Sequence, residues 1–158
     1  MLTGKAEKNN RDSMELTLNA KIIKEKKLEF FISYFNILKE CFEDYKLEWN
    51  LLGDIWKQIQ IGSFKVEKFP ISGHQNDFFH DRNSLITSHK TLSWFTFLNN
   101  VGNNEGELLF KYFDTAINPK KGLTLIFPSD WMHSYKQNII NKEEKFVMRG
   151  NFSFVIKD

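Results

Sequence analysis

The spacing of apolar residues divides the chain into one helical segment and a series of short strands. Between residues 22 and 48, apolar side chains recur at steps of three and four, which predicts a helix with one apolar face. That face consists of Leu28, Phe31, Phe35, Leu38, Phe42 and Tyr45. Residues 1–20 are mostly polar and predict a loose segment, in which the alternation of Met14, Leu16 and Leu18 indicates one edge strand.

Beyond the helix, the period changes to the two-residue alternation of β-strands. Residues 56–69 alternate, and their parity switches at Gly62, which predicts a β-bulge there. Residues 91–98 are apolar on both faces, as expected for a central strand covered on both sides. Further strands are predicted at residues 107–112, 123–127 and 145–156. This order predicts a mainly β (α+β) fold, with a helix packed on a sandwich or barrel of strands.

Composition narrows the class of protein without naming a function. The 158 residues suit a single domain, and the formal charge of +2 indicates neither a nucleic acid nor an anionic membrane as partner. The single cysteine, Cys41, cannot form an internal disulfide, and no apolar run is long enough for a signal sequence or a membrane span. We therefore expect a soluble, cytoplasmic protein.

Candidate metal ligands lie in one polar loop and after one later strand. The loop at residues 70–83 contains His74, Asp77, His80 and Asp81, and His133 follows the strand that ends at Pro128. A histidine held at the mouth of a β-structure by a rigid strand arrives in the orientation that a metal needs. Two histidines and one carboxylate leave three positions of Fe(II) open, which allows a chelating co-substrate and O₂ to bind the same ion.

An anionic co-substrate would also need a fixed cation. Lys145 and Arg149 lie on one face of the last predicted strand and could supply it, Arg149 bidentately and Lys145 as a point charge.

Several motifs resemble the 2-oxoglutarate/Fe(II) dioxygenases of the prolyl 4-hydroxylase type. The resemblance begins at about Ile59, continues to the C-terminus and keeps the family's motif order. Its most specific part is Pro119-Lys-Lys-Gly-Leu-Thr-Leu-Ile-Phe-Pro-Ser-Asp-Trp-Met-His133. The other matching runs are Leu98-Asn-Asn-Val, Glu105-Gly-Glu-Leu-Leu-Phe110 and Lys145-Phe-Val-Met-Arg-Gly-Asn-Phe152.

The resemblance implies a double-stranded β-helix, or jelly roll, over residues 56–158, with the helix supporting one sheet. It implies that His80, Asp81 and His133 bind iron, and that Lys145 pairs with the far carboxylate of 2-oxoglutarate. Arg149 matches the position that some relatives use for the same task. The implied cofactors are Fe(II), 2-oxoglutarate as co-substrate and O₂, and ascorbate is a further candidate.

Three departures from the family pattern bear on activity. The family's first ligand pair is His-x-Asp or His-x-Glu, because residues two apart on an extended segment point the same way. Here Asp81 follows His80 directly and Arg82 occupies the expected carboxylate position, so that a bulge would have to bring Asp81 or Asp77 to the metal. The family's Gly-Gly-Glu-Thr segment is reduced to Glu105-Gly-Glu-Leu108, and Asn151 replaces a frequent tryptophan.

Three functions are compatible with these residues. The first is an Fe(II)- and 2-oxoglutarate-dependent hydroxylase, acting on a peptidyl proline or on another peptide or small molecule, as a monomer or homodimer. The second is a catalytically inactive jelly-roll module that binds a peptide or glycan. The third is a cupin-like metal protein that uses His74, His80 and His133 without 2-oxoglutarate.

Overall fold

The helices precede most of the sheet. In a computed structural model, which describes residues 12–155, α1 spans Ala20–Glu25, α2 spans Phe30–Glu48 and α3 spans Leu52–Ile55. The prediction of one continuous helix over residues 22–48 is wrong, because Lys27 has a φ of 51° and separates α1 from α2. No glycine or proline marks this break in the sequence, and the apolar residues keep their helical spacing across it. No described helix combines the length and the apolar character that a membrane crossing requires.

The strands form two antiparallel sheets. The strands are β1 (Met14–Leu18), β2 (Ile59–Phe69), β3 (Lys90–Phe97), β4 (Leu108–Phe110), β5 (Thr115–Ile117), β6 (Thr124–Pro128), β7 (Tyr135–Gln137) and β8 (Lys145–Phe154). The larger sheet has the order β1-β2-β8-β3-β6 and the smaller one β5-β4-β7. This mainly β architecture confirms the predicted double-stranded β-helix with supporting helices.

Several details of the strand prediction are confirmed and others are wrong. The register of β2 against β8 shifts between Ile61 and Phe64, which confirms the bulge at Gly62. β1 is the predicted edge strand, and β3 lies inside the larger sheet as predicted. However, Trp56–Gln58 form a 3₁₀ helix rather than the start of β2. The short strands β5 and β7 were not predicted, and the predicted end of the last strand at Ile156 lies outside the described residues.

The larger sheet has an apolar core on each face. On the outer face, α2 packs on β8, where the rings of Phe42 and Phe152 stack with centroids 4.4 Å apart. On the inner face, between the two sheets, Phe95, Phe127 and Tyr135 form a second cluster. Because residues of a strand alternate between faces, the polar inner-face residues of β2, β3 and β8 lie beside this second cluster.

Candidate active site

The loop before β3 crosses to the smaller sheet through Phe79. Phe79 and Tyr135 form an antiparallel bridge, in which each backbone amide donates to the other residue's carbonyl at 2.8 Å. The Phe79 ring meets the Tyr135 ring edge-on, with centroids 6.1 Å apart. The Asp81 carboxylate also reaches Tyr135, whereas His80 Nδ1 lies 3.4 Å from the Ser134 hydroxyl. Tyr135 therefore contacts both Phe79 and Asp81, whereas His80 contacts Ser134.

Asp81 lies in a closed polar network between the sheets. Its side chain is 3% exposed. Oδ2 accepts hydrogen bonds from the Ser93 hydroxyl at 2.5 Å and from the Tyr135 hydroxyl at 3.4 Å, while Arg149 Nη1 lies 3.4 Å from Oδ1. Both oxygens of this carboxylate therefore already have partners from the chain.

Arg149 connects Asp81 to a second buried carboxylate. Its Nε donates to Glu67 Oε1 at 2.7 Å, and the Glu67 side chain is 0% exposed. Burial alone lowers the pKa of Arg149, but the charge of Glu67, followed by Tyr135 and Asp81, outweighs burial and raises that pKa above its ordinary value. The guanidinium is thus a permanent positive charge between two carboxylates.

His133 lies at the end of a 3₁₀ turn, Trp131–His133, that Asp130 caps. Asp130 Oδ1 accepts from the backbone amides of Met132 and His133, and it lies 2.8 Å from His133 Nδ1. Burial raises the pKa of Asp130, but the hydrogen bond and charge of His133 and the charge of Arg82 hold it below its usual value. The ring of Phe113 stacks on the imidazole with centroids 5.0 Å apart. His133 is therefore held in one orientation.

The other two candidate ligands of the loop, His74 and Asp77, have partners of their own. His74 Nδ1 lies 3.0 Å from the Ser72 carbonyl oxygen and 3.7 Å from Asp12 Oδ2. Asp77 is exposed, and its carbonyl accepts a hydrogen bond from the Gln75 side chain at 2.8 Å.

Lys145 is buried at the opposite end of β8 from Asn151. Its side chain is 0% exposed, and Nζ donates to the Gly106 carbonyl at 2.6 Å and lies 4.7 Å from the Phe69 ring centroid. Gly106 has a φ of 60°, and a Cβ there would lie 3.0 Å from Ile140 and 3.3 Å from Lys145 Cδ, so glycine allows this close contact. The assignment of Lys145 or Arg149 to 2-oxoglutarate stays a prediction.

This arrangement does not fit an Fe(II) centre. Within residues 12–155, no three His, Cys, Asp or Glu side chains are grouped so that they could hold one metal ion. Iron needs free carboxylate and imidazole lone pairs on one side of the ion. Asp81 instead directs its oxygens at Arg149, Ser93 and Tyr135.

A cavity of about 590 Å³ lies beside this network, lined by residues of β2, β8, the start of β3 and the loop before it. Its charged and polar lining includes Lys65, Asp81, Lys90, Arg149, Asn151 and Ser153. The sequence prediction did not select Lys65, Glu67, Lys90 or Tyr135. A charged residue on the alternating pattern of a strand is usually solvent-facing, and only the strand pairing reveals that these side chains face the interior.

The comparisons with known proteins find similarity in structure only. No protein-family model matches the sequence, and no curated protein matches it. A prolyl-4-hydroxylase from Pseudomonas putida superposes with a TM-score of 0.65 at 14% identity, covering 96% of this chain and 76% of that one. The viral collagen prolyl hydroxylase of Paramecium bursaria Chlorella virus-1, in its 2OG complex, gives 0.57 at 15% identity, covering 92% and 80%.

A third solved structure contains a peptide. It is a prolyl hydroxylase from Trichoplax adhaerens in complex with a hypoxia inducible factor oxygen degradation domain fragment, and it matches with a TM-score of 0.53 at 14% identity. The match covers 61% of this chain and 46% of that one. The chain therefore has the prolyl hydroxylase-type fold of 2-oxoglutarate/Fe(II) oxygenases. Identities this low establish the fold and leave the function to the site itself.

Proposed function

We propose that this chain is a ligand-binding module that keeps the oxygenase fold and works without iron. The observation that carries the proposal is the engagement of both Asp81 oxygens by Arg149, Ser93 and Tyr135. The guanidinium of Arg149 supplies the positive charge that a metal ion would bring to this carboxylate. Because Arg149 also binds the buried Glu67, moving it away would leave a carboxylate without its cation in the interior.

The residues around Asp81 support the same proposal. In a His-x-Asp pair that ends at Asp81, the histidine position is Phe79, which carries no metal-binding atom. The residue that faces both Phe79 and Asp81 across the strand bridge is Tyr135, whose hydroxyl donates to the carboxylate. These two positions beside Asp81 thus carry a phenyl ring and a phenol instead of imidazoles.

The hydroxylase is the second candidate, and one observation favours it. Asp130 binds His133 Nδ1, and a carboxylate partner of this kind orients a metal-binding histidine so that it presents its other nitrogen. In this alternative, His80 and His133 would bind Fe(II) with Asp81 or Asp77, and Lys145 or Arg149 would bind 2-oxoglutarate. The bound metal would activate O₂, and the substrate would be a peptidyl proline or another peptide or small molecule.

Anaerobic titration with Fe(II) and 2-oxoglutarate distinguishes the two candidates. A chelated co-substrate gives a weak visible charge-transfer band. We expect no band from the native protein. We expect a band from a variant that carries Phe79→His and Tyr135→His to supply imidazoles beside Asp81, and Arg149→Met with Glu67→Gln to release Asp81 without leaving Glu67 as a buried charge. Circular dichroism verifies that this variant folds.

Native protein and His133→Ala provide the decisive comparison. A band in the native protein that disappears in His133→Ala would establish the hydroxylase and overturn the metal-free proposal. A native protein without the band, and without bound iron after dialysis, would support the binding module.

A further inference from the structure

The cavity beside the Asp81 network has the dimensions of a small-molecule site. Its volume of about 590 Å³ lies within the range of ~300–1,000 Å³ typical of ligand pockets. Inner-face residues of β2 and β8 form one wall, and the Phe79–Asp81 segment and the start of β3 complete it. Phe79 and Phe154 lie in its lining and offer apolar contact surface.

Most of the described charged side chains around the cavity have an ion-pair partner, and one does not. Glu15 binds Lys65 at 2.5 Å, Glu67 binds Arg149 at 2.7 Å, and Asp81 has Arg149 and two hydroxyl groups. Lys90 is the exception, because no described carboxylate lies within ion-pair distance of its Nζ. The cavity wall therefore contains a half-buried ammonium group without a direct counter-ion.

The surroundings of Lys90 make this group a recognition element for an anion. Lys90 pairs in register with Ser153 of β8, and Asn151 and Arg149 follow along the same wall. Burial lowers the pKa of Lys90, the charges of Arg149 and Lys65 lower it further, and Asp81 opposes this shift. An anion at Lys90 would relieve the repulsion among three cations, and its apolar body could contact the phenyl rings.

We infer that this cavity binds a small organic carboxylate, with its anionic group paired to Lys90 and its apolar part against Phe79 and Phe154. This inference rests on the proposed metal-free function and names its ligand class. The carboxylate needs no metal, because Lys90 supplies the charge. Lys145 does not take part, since its ammonium group is buried against Phe69 and the Gly106 carbonyl.

Calorimetry in buffer with EDTA tests the inference on the native protein. The probes are 3-phenylpropionate, succinate and 2-oxoglutarate, with 3-phenylpropanamide as the neutral counterpart of the first. We expect at least one carboxylate to bind and the amide to bind much more weakly. Lys90→Met keeps most of the aliphatic stem and removes the charge, so we expect a roughly tenfold to hundredfold weaker carboxylate affinity. Lys120→Met, an exposed lysine outside the cavity, should bind like the native protein.

The outcomes separate the inference from the proposed function. Equal binding of acid and amide, undiminished affinity in Lys90→Met, or no carboxylate binding at all would each overturn the carboxylate site and leave the metal-free module standing. Carboxylate binding that appears only when Fe(II) replaces EDTA would overturn the metal-free function itself. Chemical-shift changes at cavity residues on titration of the native protein would locate the site even if Lys90→Met does not fold.

Discussion

At the scale of single residues, the candidate site is a set of carboxylates whose partners come from distant parts of the sequence. Residue type, together with the resemblance to the prolyl 4-hydroxylase-type dioxygenases, singles out His80, Asp81, His133, Lys145 and Arg149. It does not reveal that Asp81 meets a tyrosine 54 positions later. The sequence therefore indicates the location of the site but not its counter-charges, which depend on long-range strand pairing.

Removing one partner of the buried Glu67–Arg149 pair should destabilise the protein strongly, because the other charge stays in the interior. Glu67→Gln removes one of the two carboxylates around a guanidinium that is only 12% exposed. Breaking a buried pair on one side costs about 3–5 kcal/mol, and we expect the lower end because glutamine keeps the shape. Urea unfolding measures this change in the free energy of unfolding.

Glu15→Gln is the matched control, because Glu15 pairs with Lys65 on the neighbouring strand but both side chains are partly exposed. It should cost less than about 1 kcal/mol. Equal losses of unfolding free energy in Glu67→Gln and Glu15→Gln would contradict the role of Arg149 as the buried cation that binds Glu67.

Asp130 gives the protein a component of stability that depends on pH. Its pKa is lower in the folded chain than the ordinary aspartate value, so ionised Asp130 stabilises the fold above that ordinary value, and the effect is lost as the pH falls through the lowered pKa. Asp130→Asn keeps a side-chain oxygen for the cap but has no charge. We therefore expect native protein to be more stable than Asp130→Asn at neutral pH.

Urea unfolding of both proteins from pH 7 down to about pH 3 checks this expectation, because the ordinary aspartate pKa of ~3.9 lies inside that window. The difference between the two should shrink at the acid end. A difference that stays constant over the whole range would show that the charge of Asp130 contributes nothing.

At the scale of elements, long periodic segments are predictable, whereas short ones are predicted only in part. The bulge in β2 follows from an alternation that spans 11 residues, and the covered strand β3 follows from a run of 8 residues that is apolar on both faces. β5 and β7 have three residues each, too few to establish a period. The break between α1 and α2 is hidden for a related reason, since one lysine with positive φ leaves the apolar spacing intact.

The packing of β8 against β3 depends on a glycine. A Cβ at Gly150 would lie 2.7 Å from Cζ2 of the fully buried Trp94 and 3.1 Å from the Phe64 Cβ. We expect Gly150→Ala to destabilise the protein by about 1–3 kcal/mol, because the added methyl group would overlap the buried indole and force it or the strand backbone to shift. Urea unfolding midpoints measure the change.

Gly62→Ala provides the control within β2, since a Cβ there meets no atom within 4 Å. It should leave stability unchanged or slightly raised. A loss in Gly62→Ala as large as that in Gly150→Ala would indicate that both sites respond to backbone strain, and not to contact with Trp94.

At the scale of the whole molecule, fold and chemistry are separable. The same two-sheet architecture accommodates the prolyl hydroxylases that this chain resembles and the interior found here, in which Arg149 faces Asp81. The fold could be inferred from sequence because it depends on patterns distributed over about a hundred residues. The chemistry could not, because it depends on a few contacts between strands that are far apart in the chain.

The positive charge beside Asp81 belongs to the Arg149 side chain, so the protein does not have to obtain it from its surroundings as a metal ion. A metal ion must be acquired from the surroundings, and it can be withheld by scarcity, extracted by a chelator or altered by oxidation. A guanidinium is synthesised with the chain itself. The charge opposite Asp81 would therefore be complete when the chain folds, in iron-starved and iron-replete cells alike.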